Sequence, residues 1–190
     1  MANKVLFGIS NLHVGTYTET VTTSGTTVTL GTPYHQKGAI SFSPEEQSDK
    51  TDFYADNIIY WSGYSGGSFE GDLEVAKFDD VFKTSYLGYG TLSDGGIALV
   101  KGAIKPNVYI MFEIQGDVEA RRVIMYNCTL GGITRTYSTI EETKEPQTET
   151  INVTVAGDNA TGVSMVSYAK TASGYSTLFT NPPTPSAPTT

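Results

Sequence analysis

The sequence predicts an all-β protein with one short helix, built as a β-sandwich or barrel. The chain is rich in threonine, valine and tyrosine, and 20 glycines and 8 prolines separate short segments in which apolar and polar residues alternate. β-Branched and aromatic residues favour strands, whereas glycine and proline favour the turns between them. With 190 residues, the chain is long enough for one domain with a sizeable core.

The start of the chain predicts two strands, 5–9 and 12–17, joined by a tight turn. The threonine-rich segment 18–31 then predicts a hairpin arm with a two-residue turn at Ser24 and Gly25. This arm has few large apolar side chains, and an isolated hairpin is marginally stable in water. We therefore expect it to pack against a neighbouring chain.

The segment 37–88 contains the most regular patterns of the chain. An alternating strand begins it, an acidic stretch and a loop over 44–57 follow, and a second strand covers 68–75. Strand side chains alternate between faces, so this second strand places apolar residues on one face and three acids on the other. The acidic face must contact water, because like charges at such spacing need high-dielectric surroundings. Its members are Glu70, Asp72 and Glu74.

A helix is predicted directly after this strand, with Asp79 as N-cap and Gly88 as the residue that ends it. Its apolar residues form one stripe, so the helix is expected to cover the end of a sheet. The stripe consists of Phe78, Val81, Phe82 and Tyr86.

The second half of the chain predicts further antiparallel strands, and its last segment has a different composition. The strands are 97–101, 108–115, 133–140, 149–155 and 163–170. A further strand, which returns after 108–115, places residues 122, 124, 126, 128 and 130 on one face. The predicted domain covers residues 1–171. A Pro/Thr-rich tail, 172–190, follows it, and its final ten residues are expected to bury no core.

Charge and cysteine content exclude several classes of function. The net charge is −8 and the isoelectric point about 4.7, which argues against a protein that binds nucleic acid by counterion release. A single cysteine, Cys128, permits no intramolecular disulfide and is interpreted as a buried small apolar residue in a reducing compartment. No apolar segment reaches the length of about 20 residues that a membrane helix needs.

The motif search predicts neither an enzyme nor a cofactor or metal site. The two histidines have no partners placed beside them by sequence, and Cys and His are too few for a zinc site. The acidic residues at 49–56 lack the spacing of a calcium loop, and Asp52 with Asp56 is the only carboxylate pair worth testing for a glycan hydrolase. Aromatic residues near glycines leave a carbohydrate-binding module as an alternative.

Three stretches of this sequence resemble the major tail proteins of long, flexible-tailed bacteriophages. They are ANKVLFGISNLHV at 2–14, KGAISFSPEEQ at 37–47 and FYADN at 53–57. The resemblance extends over about residues 5–170, and it implies a β-sandwich of the tail-tube type whose hexameric rings stack into a conduit for DNA ejection. It further implies a virion protein that assembles in the host bacterial cytoplasm and has no membrane partner. Its partners are other copies of itself, the tape-measure protein, and the tail-tip and terminator proteins.

Under this resemblance, two sets of residues become candidate functional sites. The acidic face of 68–75 is a candidate lumen wall that repels DNA, with an outer solvated face as the alternative. The candidates for ring stacking are Thr20, Thr22, Ser24, Gly25, Thr27, Glu45, Glu46, Asp49, Lys50 and Asp52. The alternative function is a carbohydrate- or receptor-binding β-sandwich of a phage baseplate.

Overall fold

The computed structural model describes residues 8–23, 25–55, 57–139 and 146–188. Within these ranges the chain forms eleven strands and one helix. They are β1 (Gly8–Thr22), β2 (Gly25–Leu30), β3 (Tyr34–His35), β4 (Ala39–Ala55), β5 (Ile58–Val75), α1 (Asp80–Tyr86), β6 (Tyr89–Thr91), β7 (Ile97–Leu99), β8 (Val108–Gln115), β9 (Arg122–Arg135), β10 (Glu149–Val155) and β11 (Met165–Tyr168).

Nine of these strands form one antiparallel sheet, and β6 and β7 form a separate pair. The order along the large sheet is β2-β1-β8-β9-β10-β5-β4, with β3 added beside β1 and β11 beside β9. Neighbours such as β1 and β8 are distant in sequence, as in Greek-key connections. The predicted all-β class with one short helix is confirmed.

The sheet curls around its main core until strands from its two ends approach each other. Phe42 of β4 contacts Phe112 of β8 edge to face, with ring centroids 5.6 Å apart, although three strands separate β4 from β8 in the sheet order. Helix α1 covers one side of this enclosure. The fully buried core residues include Val14, Leu73, Val75, Phe78, Phe82, Val108, Ile110, Ile151, Val153 and Val155.

A second, smaller core lies on the opposite face of β8 and β9. It consists of Tyr17, Tyr109, Met111, Ile124, Tyr126 and Leu178. Because β8 and β9 are apolar on both faces, they need a cover on each side, and residues near the end of the chain supply the second cover. The final residues were expected to bury nothing, yet Pro185 is buried and the Pro183 carbonyl accepts a 2.9 Å hydrogen bond from the Tyr126 hydroxyl.

Helix α1 begins and ends at the residues that the sequence predicts. The Asp79 carboxylate accepts a hydrogen bond from the Phe82 N–H at 3.1 Å, and Gly88 follows the helix with a φ of 72°, a conformation that favours glycine. The prediction that Val81 belongs to the buried stripe is wrong, since 55% of it is exposed. In a helix of two turns, only the positions four residues apart face the core.

Two positive-φ asparagines change the strand pattern near β8 and β9. The predicted turn between 5–9 and 12–17 is instead a bulge inside β1, where Asn11 has a φ of 53°. A second bulge at Asn127, with a φ of 52°, interrupts the alternation of β9. Ile124 and Tyr126 therefore face the second core, whereas Cys128 and Leu130 face the main core, and the predicted single face is wrong.

Other boundaries differ by smaller amounts. The strand predicted at 133–140 is not separate, because β9 continues through 131–132 to Arg135 with a register irregularity opposite β10. The segment 88–96 contains the short strand β6. The predicted burial of Cys128 is confirmed, and burial raises the pKa of its thiol. Residues 5–7, Ser24, Asp56 and 140–145 lie outside the described residues.

Candidate assembly surfaces

Strands β4 and β5 form a long ribbon whose outer part leaves the sheet. Their pairing runs from Ala39 opposite Val75 to Ala55 opposite Ile58. Strand β10 pairs with β5 only between Val75 and Phe69. Among the described residues, 49–55 and 58–65 therefore pair only with each other, and we call these two segments the arm. At about 3.3 Å per residue, each segment spans roughly 25 Å.

The arm carries large apolar side chains that are mostly in contact with solvent. Seven of them are between 49% and 73% exposed: Phe53, Tyr54, Ile58, Ile59, Tyr60, Trp61 and Tyr64. Phe53 is opposite Trp61 and the next residue, Tyr54, is opposite Ile59. Because successive residues of a strand point to opposite faces, both faces of the arm are apolar. Exposed apolar surface of this kind marks an interaction site.

The polar candidates of segment 44–57 lie on the same ribbon. The sequence predicts a loop here, whereas β4 continues to Ala55. Lys50 and Asp52 form an ion pair at 2.9 Å, and the hydrogen bond from Lys50 lowers the pKa of Asp52. These candidates thus border the aromatic residues of the arm. The remaining candidates on β4, Glu45, Glu46 and Asp49, are all exposed.

The predicted hairpin at 18–31 is formed by the end of β1 and by β2. Thr22 is opposite Gly25, so the chain reverses before Gly25, one position earlier than predicted. Thr20, Thr22 and Thr27 are exposed, as is Val21 at 78%. The hairpin therefore has an exposed, threonine-rich tip.

Hydrogen bonds attach the base of this hairpin to the loop after β10. The Tyr17 hydroxyl lies 2.7 Å from the Asp158 carboxylate and 2.8 Å from that of Glu19. Asn159 donates two hydrogen bonds to Glu19. Burial and these carboxylates raise the pKa of Tyr17, so its hydroxyl remains the proton donor. The hairpin is thus held at its base, and its tip is exposed.

The predicted division of β5 into an apolar and an acidic face is confirmed. Leu73 and Val75 are fully buried, whereas Glu70 and Asp72 are exposed and Glu74 is half-buried. Glu74 accepts hydrogen bonds from Ser41 at 3.1 Å and Thr148 at 2.6 Å.

The strands on either side of the three acids add only polar or acidic side chains to this face. Opposite Glu70, Asp72 and Glu74 lie Glu45, Ser43 and Ser41 on β4 and Thr154, Asn152 and Thr150 on β10. These nine residues form what we call the acidic face, and none of them is basic. Glu45 directly opposite Glu70 is unfavourable without strong hydration, so the acidic face is suited to bulk water.

The histidines and arginines occupy structural positions that sequence spacing did not reveal. His13 and His35 are cross-strand neighbours whose rings stack with centroids 4.6 Å apart. Arg122 pairs with Glu113 at 3.1 Å, and Arg121 pairs with Glu119. Neither histidine has a carboxylate hydrogen-bond partner among the contacts of the described residues.

A cavity beside α1 has a volume of about 450 Å³. Its charges are mostly paired: Lys83 lies 3.3 Å from Asp80, and Arg135 lies 2.6 Å from Glu149. In the part of the chain that the structure describes, no group of three His, Cys, Asp or Glu side chains is placed to hold a metal ion. No described helix combines the length and the apolar character needed to cross a membrane.

Comparison with known proteins gives likenesses among solved structures only. No family model matches the chain, and no curated protein matches it. Among solved structures, the chain is similar to the cap that terminates the tube of the anti-feeding prophage, determined by cryo-electron microscopy. The TM-score is 0.49 at 11% identity, and the alignment covers 89% of this chain and 96% of that chain.

Proposed function

We propose that this chain is a structural subunit of a bacteriophage tail tube and not an enzyme. In this proposal, hexameric rings of the chain stack into the conduit for DNA ejection, within a virion assembled in the bacterial cytoplasm. Its partners are further copies of itself, the tape-measure protein, and the tail-tip and terminator proteins. The main support for this proposal is the exposed apolar arm. The sequence resemblance at 2–14 and 37–57 supports the same function.

The arm has the composition of a buried segment, but none of the described residues of its own chain covers its large apolar side chains. Burying one large apolar side chain contributes about 1.5–3 kcal/mol, and seven such side chains are exposed on the arm. A two-stranded hairpin without further packing is marginally stable. Since both faces are apolar, a single flat contact leaves one face in water. We therefore propose that each arm inserts between two neighbouring copies in the next ring.

The hairpin of β1 and β2 provides a second proposed ring-to-ring contact. Its tip presents threonines and Val21, which pack by β-branched side chains and by backbone hydrogen bonds at an unpaired edge. Its base is fixed to the domain by Tyr17 and Glu19, so the tip has a defined direction. Of the predicted stacking residues, Asp49, Lys50 and Asp52 lie on the arm, and Thr20, Thr22, Gly25 and Thr27 lie on this hairpin. Glu45 and Glu46 lie instead on the inner part of β4, where Glu45 belongs to the acidic face.

The acidic face is proposed to line the bore of the tube. Its charges repel phosphate groups, and screening at physiological salt limits this repulsion to about 8 Å from the wall. The face therefore keeps DNA from adhering without excluding it from a wider channel. A polar wall of Ser, Thr and Asn also offers no aromatic surface on which bases stack.

Serine substitution of Phe53, Ile59 and Trp61 tests the proposal. Each is a candidate hot spot, and loss of about 2 kcal/mol at one such site raises the concentration needed for assembly roughly 30-fold. Negative-stain electron microscopy and size-exclusion chromatography over a concentration series, with and without a tail-tip nucleus, provide the readout. We expect uniform rings or tubes from the unchanged chain and monomers from the variant.

A matched control carries serine at three exposed apolar positions off the arm, Val81, Leu99 and Ile104. This control is expected to assemble like the unchanged chain. Tubes from the arm variant at the usual concentration would contradict the role of the arm. A chain that stays monomeric at every concentration, even with a tail-tip nucleus, would contradict the tube itself.

The exposed aromatic side chains also favour a second candidate, a carbohydrate- or receptor-binding module of a baseplate. Tyr54, Tyr60, Trp61 and Tyr64 are all more than half exposed, and aromatic faces of this kind stack on sugar rings. Glycan-array binding by the monomer distinguishes the candidates, because a tube subunit is expected to bind no glycan.

A further inference from the structure

The C-terminal segment 171–188, here called the strap, covers the second core with few contacts. Leu178 is fully buried against the apolar face of β8 and β9. The carbonyls of Tyr175 and Pro183 accept hydrogen bonds from Arg122 and Tyr126. Backbone hydrogen bonds within the strap are local turns, such as that from Thr180 to Thr177. Described residues of the strap add no strand to the sheet, so side-chain contacts hold it in place.

A continuous stack of rings and one guanidinium joins the strap to the sheet. His13 lies between His35 and Phe179, at 4.6 Å from each ring centroid. The Arg122 guanidinium is 4.7 Å from the Phe179 centroid and 4.0 Å from that of Tyr175. Phe179 therefore contacts both His13 and a permanent cation.

Protonation of His13 works against this arrangement. Its Nδ1 lies 2.7 Å from the Asn11 carbonyl oxygen, which only accepts, so Nδ1 carries the proton of the neutral ring. Burial lowers the pKa of His13, and His35 and Arg122 lower it further, while the Asn11 hydrogen bond acts in the opposite direction. A second proton places a new cation beside Arg122, under a ring that covers both side chains. The Phe179 ring itself attracts a cation, so the opposition comes from lost hydration and from repulsion by Arg122.

The charged groups around this stack provide little compensation for that new cation. His35 approaches from β3 and Arg122 from β9. Glu113 of β8 is the nearby carboxylate, and its Oε2 already accepts hydrogen bonds from Arg122 at 3.1 Å and from Asn11 at 3.3 Å. Tyr175 of the strap contributes its ring, which lies 4.0 Å from the Arg122 guanidinium.

We propose that the strap is a pH-sensitive latch: protonation of His13 in mildly acidic solution favours hydration of its ring and releases residues 171–188 from the sheet. In the closed state the pKa of His13 is lowered chiefly by burial, and release lets water reach the ring, which moves this pKa back toward the ordinary value near 6.5. The closed state therefore binds fewer protons, and opening increases as the pH falls below about 6.5, by at most about tenfold per pH unit. Release uncovers an apolar face that includes Tyr109, Met111 and Ile124.

Hydrogen exchange on the full chain at about pH 7.5 and about pH 5.5 tests the latch. Rates are corrected for the intrinsic pH dependence of exchange, and peptides from the strap are compared with peptides from β8 in the same sample. We expect strap protection to fall several-fold, up to about tenfold per pH unit below 6.5, while β8 protection stays constant. Equal strap protection at both pH values would overturn the proposal.

Three variants separate the latch from general acid sensitivity. His13→Phe keeps a stacked ring without a titratable group, so its strap is expected to stay protected at both pH values. His35→Phe retains His13 and is expected to keep the pH response. Phe179→Ala is expected to open the strap at both pH values. A pH response that survives in His13→Phe, or a protected strap in Phe179→Ala, would refute the mechanism. Since the measurement uses the monomer, its outcome is independent of tube assembly.

Discussion

The two halves of the β4–β5 ribbon differ in what covers them, although the same two strands form both. The inner half, residues 39–47 and 68–75, pairs with β10 and buries Leu73 and Val75 completely. Among the described residues, the arm has neither a third strand nor a core beneath it, and its large apolar side chains are 49% to 73% exposed. Its strands are as continuous as those of the inner half, so backbone pairing alone does not account for the difference.

The comparison shows how an intermolecular segment differs from an intramolecular one. In the inner half, apolar residues occupy one face and the acidic face occupies the other, as expected for a strand with one buried side. In the arm, Phe53 with Trp61 and Tyr54 with Ile59 lie on opposite faces. A ribbon that is apolar on both faces needs cover on both, which a single domain edge does not supply.

The largest expected effect is the loss of core packing in the inner half. Leu73→Ala removes a fully buried side chain and is expected to lower the free energy of unfolding of the monomer by about 2–5 kcal/mol. Ile59→Ala, at a 49% exposed position of the arm, is expected to change it by no more than about 0.5 kcal/mol. Urea denaturation measures both. Similar losses at the two sites would show that the arm is packed in the free subunit.

A smaller effect is expected from adding one methyl group to each half. A Cβ at Gly71 would lie 2.1 Å from the Ser43 carbonyl oxygen, so backbone must move, at a cost of about 1–3 kcal/mol. A Cβ at Gly63 would meet only the Trp61 ring, at 2.3 Å, and that side chain is free to rotate away. Thermal unfolding is expected to show a clear loss for Gly71→Ala and a much smaller one for Gly63→Ala. The reverse order would contradict the exposed position of Trp61.

The smallest effect on stability is expected on the acidic face. Replacing Glu70 and Asp72 by lysine is expected to change the free energy of unfolding by no more than about 0.5 kcal/mol, because both side chains are exposed. Assembled tubes of this variant are nevertheless expected to retain DNA at physiological salt. Tubes with lysine at Asp94 and Glu119, two exposed acids away from this face, serve as the charge-matched control. Equal DNA retention by both would place the acidic face outside the bore.

The strongest sequence signals predicted the elements whose contacts are local. The bounds of β10, 149–155, agree with the prediction, because alternation over one short strand is visible in the sequence itself. The ends of α1 follow from one cap and one glycine. The acidic and apolar faces of β5 follow from period-two alternation alone. The five stacking candidates on β4 were predicted to lie in a loop, whereas β4 continues through them to Ala55. The sequence also did not predict that the aromatic residues beside them form an exposed arm.

The sequence by itself thus determined the strand class, the helix and the division of β5 into two faces, since these depend on neighbours within a few residues. Only the tertiary structure decided the bulges at Asn11 and Asn127, the two faces of β9, the cover provided by the strap and the isolation of the arm. Each of these depends on which distant segment lies opposite. The sequence pattern of a strand does not show whether its second face packs against its own chain, packs against another copy or contacts water.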